Sequence, residues 1–243
     1  SYVRRLNQAD ALIEGGAELE VGWLPPLVNN ARNPKILAGA PGRIVASVGV
    51  RLLEVPVTGV DRSQGDVHAL GNPHYLTDPV NALRVARRIA DVFRQLDSAA
   101  GDVYQGNLKQ FSDRLDAKLA EWQKLLAPYQ GQHVVAYHNA WPYFARRFGL
   151  RIELFLEPKP GLPATPAHLA GVMAAMKENH ARVILVQPYL NRRTAESVAR
   201  QTGAVVLDVA TYPGGVKGTE GDYLGMMDRL VTSLAGALGP RLP

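Results

Sequence analysis

The stretch HVVAYHNAWPYFARRFGLRIELFL, residues 133–156, holds three elements in twenty-four residues. His133–Tyr137 is a short apolar run of strand character, and Ile152–Leu156 is another. Between them, Trp141–Phe148 has helical spacing, with Pro142 in its first turn and Gly149 just past its end. A strand returning through a helix to a second strand predicts parallel pairing. The pattern continues downstream. Thr165-Pro166 is an N-cap and first-turn pair opening a helix over Pro166–Asn179. A strand over Val183–Gln187, a helix over Arg192–Gln201, a strand over Ala204–Leu207 and a last helix over Tyr223–Leu238 follow. Such alternation predicts a parallel sheet with helices on its faces.

Upstream lies the most regular segment of the chain. Tyr104, Leu108, Phe111, Leu115, Leu119, Trp122 and Leu126 recur at steps of three and four, one face of a helix. Over Val103–Ala127 it would span about 37 Å at 1.5 Å per residue. A helix of that length in a small protein suits a link between two lobes. Before it, Asp78-Pro79 starts a helix carrying Leu83, Ala86, Ile89, Ala90, Phe93 and Leu96. Thr58–Asn72 reads as a polar loop. Ala11–Ile13, Ile44–Ala46 and Leu53–Val55 read as strands, and a helix begins near Trp23-Leu24-Pro25-Pro26. Ser1–Leu6 already reads as helix, so further residues are expected upstream. The expected architecture is α/β: two parallel-sheet lobes, 1–102 and 129–243, joined by one long rigid helix over 103–128. The N-terminal lobe is expected to be incomplete in this chain.

Composition removes several classes of chemistry. There are 243 residues and no Cys, which excludes disulfides, zinc–thiolate sites, iron–sulfur clusters and thiol nucleophiles. Hydrophobic content of 47% and charged content of 20% are those of a folded domain. The net charge of +5 is carried by scattered Arg pairs rather than by a basic stripe with aromatics, so nucleic acid is not expected as a partner. No Ser nucleophile elbow, phosphate-cradling Gly loop or dinucleotide motif is present.

Ligands of open parallel sheets bind beyond the carboxyl ends of the strands. Polar residues at those ends are therefore the candidates. His138 follows Val134-Val135-Ala136-Tyr137, Asp208 follows Val205-Val206-Leu207, and His74 precedes the Asp78-Pro79 helix start. Two imidazoles and a carboxylate suit Zn²⁺, and also Mn²⁺ or Fe²⁺. By position alone, each His also fits a capping role and Asp208 a turn cap.

The segments around these residues carry a resemblance. Gly71-Asn72-Pro73-His74-Tyr75-Leu76-Thr77-Asp78-Pro79 resembles the "D-P-H-x-W-x-D-P" segment of metal-binding ABC-transporter substrate-binding proteins, the cluster of zinc and manganese receptors. Tyr137-His138-Asn139-Ala140-Trp141-Pro142-Tyr143-Phe144 and onward to Leu150 closely resembles their "H-D-A-F-x-Y-F-x-x-x-Y-G-L". Leu207-Asp208 resembles a late "L-D" segment, and the order of matches runs along the whole chain. The resemblance implies two α/β lobes joined by a long helix, with metal ligands at His74, His138 and Asp208. It also implies that the family's first ligand lies upstream of Ser1.

There are departures. Asn139 and Pro142 replace a common Asp and a small residue, and Glu157-Pro158-Lys159-Pro160-Gly161 is not the usual continuation. Glu157 is then a candidate acceptor behind a ligand, or an oxygen ligand itself. His68 is expected in a solvated loop, and His133, His168 and His180 at a strand start and on helix surfaces. Trp141, Tyr143 and Phe144 are expected in the core.

The implied function is a non-enzymatic receptor outside the cytoplasm, periplasmic or anchored to a membrane through its upstream part. It would be a monomer that captures Zn²⁺, with Mn²⁺ as the alternative cargo, and hands it to an ABC permease. Imidazole binds metal only when neutral, so affinity should fall below pH ~6.5. Two alternatives stand beside it. One is a zinc hydrolase with Glu157 as general base. The other is an adhesin or scaffold stabilised by metal.

Overall fold

The computed structural model describes residues 1–57 and 68–239. Most of the Thr58–Asn72 loop lies outside the described residues. The chain divides into two compact units. One comprises 1–57, 68–75 and 79–115; the other comprises 76–78 and 116–239.

In the first unit, α1 (Tyr2–Asn7) leads to β1 (Leu12–Glu14), α2 (Leu24–Ala31) follows, and β2 (Arg43–Val45) pairs parallel with β1. Leu24, Val28 and Ile36 form a small core, with Leu6, Ala9 and Leu12 against it. The polar residues here act as fasteners. Buried Asn33 donates through Nδ2 to the carbonyls of Leu6 (2.8 Å) and Ala9 (2.7 Å), which ties down the end of α1. Arg43 grips Glu14 with two parallel bonds, Nε–Oε1 at 2.9 Å and Nη2–Oε2 at 2.6 Å, across the β1–β2 pair. Gly16 sits at φ +74°, where an added Cβ would meet Ser47 Oγ at 2.4 Å, so the turn closing β1 requires glycine. Leu53–Val55 is not a strand. Glu54 adopts φ +54°, a left-handed conformation that interrupts extended pairing, and the Leu53 carbonyl instead accepts from Asn72 N at 2.8 Å. Helix α3 (Pro79–Leu96) completes this unit beside the first part of α4.

α4 runs Gly101–Leu126, about 39 Å at 1.5 Å per residue. Its residues up to Leu115 belong to the first unit and those from Asp116 to the second. Within the second unit Trp122 and Leu126 are fully buried. The Trp122 indole and Lys118 both donate to Asp228 Oδ1 on the last helix, at 3.1 and 3.0 Å. Burial alone would raise that carboxyl's pKa, but these two bonds and the Lys118 charge hold it below the ordinary carboxylate range.

The second unit is a four-stranded, all-parallel sheet in the order β4-β3-β5-β6, built from β3 (His133–Ala136), β4 (Arg151–Phe155), β5 (Val183–Val186) and β6 (Val205–Asp208). β5 reads Val-Ile-Leu-Val and is buried throughout, the mark of a central strand covered on both faces. Helices α5 (Pro142–Phe148), α6 (Pro166–Glu178), α7 (Arg192–Thr202) and α8 (Tyr223–Leu238) surround it. Their ends follow sequence rules. Thr165 Oγ1 accepts from His168 N, Asp222 Oδ1 accepts from Gly225 N, and Gly149 and Gly203 close α5 and α7 in the left-handed conformation. Segment 76–78 is held by the Tyr223 hydroxyl on the Leu76 carbonyl (2.8 Å) and by a two-pronged Arg147–Asp78 pair. No helix among the described residues is long and apolar enough to cross a membrane.

The crossovers sort the helices between the faces. β3→β4 steps one way along the sheet, while β4→β5 and β5→β6 step the other way. Right-handed connections therefore put α5 on one face and α6 and α7 on the opposite one. The core agrees: Val135, Tyr137, Leu156, Ile184 and Val186 pack with Val172 and Met176 of α6 and with Ala195 and Val198 of α7.

Candidate metal centre

His138 lies just past the end of β3. Its neighbour Tyr137 still belongs to the ladder, with its N–H donating to the Leu185 carbonyl at 2.8 Å and its carbonyl accepting from Glu157 N at 3.1 Å. These bonds place His138 beside Glu157, which lies just past the end of β4. Each follows a residue, Tyr137 or Leu156, that packs into the core of α6 and α7. The side chains meet: His138 Nδ1 bonds Glu157 Oε1. Glu157 is 6% exposed and the His138 side chain 20%. A carboxylate oxygen only accepts, so the neutral ring must carry its proton on Nδ1, and its lone pair sits on Nε2. That is the geometry of a metal-binding imidazole steadied from behind by a carboxylate.

His74 is prepared in the same way in the other unit. Its backbone N–H and its Nδ1 both lie 3.0 Å from Asn72 Oδ1. The orientation of that amide is fixed by its other end, because Asn72 Nδ2 donates to Glu54 Oε2 at 2.9 Å. The oxygen therefore faces His74, whose neutral ring again places its lone pair on Nε2.

Asp208 is different. It is opposite Val186 in the β5–β6 ladder, and so lies on the face of α6 and α7. There its Oδ1 accepts from Arg192 Nη1 at the start of α7. Arg192 also holds Glu196, Nε to Oε1 at 2.9 Å. Both partners of the Asp208 pair are nearly half exposed, which makes the pair cheap to open, at about 0.2–1 kcal/mol. Tyr189, past the end of β5, has a phenol pushed above its ordinary pKa, first by desolvation and then by Tyr212 and the Glu157 carboxylate, against the pull of its bond with Thr211. No three His, Asp or Glu side chains among the described residues stand grouped so as to hold an ion. The structure brings Glu157 to His138; it gives Asp208 to Arg192 and His74 to Asn72.

A family model described as zinc-uptake complex component A, periplasmic (ZnuA), matches residues 1–237 of the 243. The chain belongs to this family. Among curated relatives of this ZnuA-family chain, the iron-binding protein YfeA of Yersinia pestis is 24% identical over 192 residues, 75% of this chain and 60% of that protein. The manganese ABC transporter substrate-binding lipoprotein PsaA of Streptococcus mitis is 23% identical over 243 residues, 97% of this chain and 75% of that one. The high-affinity zinc uptake system protein ZnuA of Brucella abortus is 26% identical over 172 residues, 70% and 50% respectively. The match thus spans between half and three quarters of these relatives. Among solved structures, a zinc-bound ZnuA lacking its residues 138–173 superposes with a TM-score of 0.78 at 22% identity, covering 99% of this chain and 83% of that one. That likeness establishes the α/β fold with its long helix.

Two features escaped the sequence. Arg192 as the partner of Asp208 and Asn72 as the orienting group of His74 had no local signal. Glu157 was visible as a candidate only because its segment departs from the family pattern.

Proposed function

We propose that the protein is the capture component of a divalent-metal importer, binding Zn²⁺ through His74, His138 and Asp208 and delivering it to an ABC permease. Two imidazoles of the family pattern are each held from Nδ1 by a side-chain oxygen, Glu157 for His138 and Asn72 for His74. This shared preparation of Nε2 is the observation that carries the reading. Imidazole nitrogen with carboxylate oxygen favours Zn²⁺ over a harder ion, and Mn²⁺ is the alternative cargo. Fixed tautomers and a weakly held Asp208 suit reversible capture.

The protein works as a monomer outside the cytoplasm, in the periplasm or tethered to a membrane, on two lobes (1–102 and 129–243) with the helix 103–128 between them. It does not bind nucleic acid, and it does not catalyse. Glu157 is the general base that a zinc hydrolase would need, and it is buried against an imidazole rather than facing an open water position.

Calorimetry on the purified protein tests the reading. One Zn²⁺ per chain is expected, bound more tightly than Mn²⁺, and lost in His138→Ala and in His74→Ala. Absence of Zn²⁺ binding, or binding unchanged by both substitutions, overturns it.

A further inference from the structure

Gln187 follows the last residue of β5, between the strand that carries His138 and the strand that carries Asp208. It is 0% exposed. Neither its Oε1 nor its Nε2 has a hydrogen-bond partner among the described residues. A buried amide with both ends unsatisfied is costly and rare. Val, Ile, Leu and Val precede it, so an apolar residue would fit this strand at no polar cost.

Register says where the amide stands. Ala136 is opposite Leu185 and Phe155, so one step past Tyr137 the positions of His138, Glu157 and Gln187 come level. Each directly follows a residue of the α6–α7 core, Tyr137, Leu156 or Val186, at the carboxyl ends of three adjacent strands. The other buried side-chain group without a partner among the described residues is the indole N–H of Trp141, three residues after His138. Both orphans therefore belong to the carboxyl edge of one sheet, next to the one imidazole–carboxylate pair on it.

We propose that Gln187 is a positioning residue of the His138–Glu157 site, whose side-chain oxygen accepts a hydrogen bond from a water carried in by the captured divalent cation. A metal-bound water is a strong donor. The amide is left unpaired in the metal-free protein and is satisfied on capture, so part of the affinity comes from relieving it. This rests on the metal-binding reading above, and the test separates the two.

Zn²⁺ titration by calorimetry is run on the wild type, Gln187→Met and Gln187→Glu, alongside melting of the metal-free proteins. Gln187→Met should bind Zn²⁺ about tenfold more weakly, the scale of lost outer partners. Its metal-free form should melt at least as high as the wild type, with a gain of about 2–12 °C where the full penalty is lifted. Gln187→Glu keeps an acceptor and should bind at least as tightly as the wild type. Gln187→Met affinity within twofold of the wild type overturns the proposal, because an amide resting on a permanent structural water would behave in that way. Equal losses in both variants overturn the acceptor role. Wild type that binds no Zn²⁺ overturns the functional reading instead. Should Gln187→Met fail to fold, the Gln187 side-chain NH₂ signals, identified by their absence in Gln187→Glu, must shift when Zn²⁺ is added to the wild type; unmoved signals refute the proposal.

Discussion

Two ends of the same sheet carry candidate ligands, and they are built in opposite ways. At the β3–β4 edge, His138 and Glu157 are mostly shielded from water and bonded to each other. At the end of β6, Asp208 is nearly half exposed and holds an arginine. The first is a preset group. Its ring orientation and tautomer are settled before any ion arrives, so little ordering is left for binding to supply. The second is an exposed group bonded to Arg192. Its carboxylate is paired with an arginine, and an exposed pair of this kind is worth only about 0.2–1 kcal/mol. In the proposed function, the fixed donor would recognise the ion and the labile one would close its shell.

The largest effect should come from removing the fixed donor. His138→Ala is expected to weaken Zn²⁺ binding by at least about 100-fold, beyond the roughly 10–100-fold typical of outer partners. Calorimetry checks it, and a smaller loss would show that the preset edge is not where recognition happens. Glu157→Gln comes next. The amide oxygen can still accept from Nδ1, so the ring stays oriented while the charge behind it disappears. A loss of about 10–100-fold in Zn²⁺ affinity with little change in melting temperature is expected. A large drop in melting temperature with unchanged affinity would make the pair a fold element instead.

Much of this contrast was legible in residues 133–156, because strand, helix and strand there are each set by local rules: an apolar run, a proline in the first turn, a glycine at the end. Leu53–Val55 was misread for the converse reason. Three residues of strand character are too short to outweigh a left-handed Glu54, and the segment is bonded instead to Asn72, eighteen residues from Glu54 in the chain. Tertiary partners were hidden in the same way. Arg192 finds Asp208 only because α7 starts beside the end of β6. Gln187 read as the last residue of an apolar strand, and its solitude is visible only once the sheet is assembled. The sequence displays what neighbours along the chain decide, and the carboxyl edge is decided by neighbours across it.

Asp208→Asn probes the exposed end directly. If Asp208 closes the metal's shell, Zn²⁺ affinity should fall by about tenfold, less than for His138→Ala, because the preset donors remain. Stability should change by no more than about 1 kcal/mol, since an exposed pair contributes little. Denaturant unfolding and calorimetry on the same variant separate the two quantities. Affinity within twofold of the wild type would reduce Asp208 to an anchor for α7.

The smallest effect is also the most discriminating. Arg192→Gln releases Asp208 without touching any candidate ligand. If the carboxylate must leave Arg192 to reach the ion, the wild type spends the energy of the pair on every capture, about 0.2–1 kcal/mol. The variant should then bind Zn²⁺ about 1.5- to 5-fold more tightly. Screening supplies the control: raised salt weakens the pair in the wild type and has nothing to weaken in the variant, so the gap between them should close as ionic strength rises. A variant that binds more weakly would mean that Arg192 holds Asp208 in place for the ion rather than away from it. The β6 end would then be as preset as the β3–β4 edge.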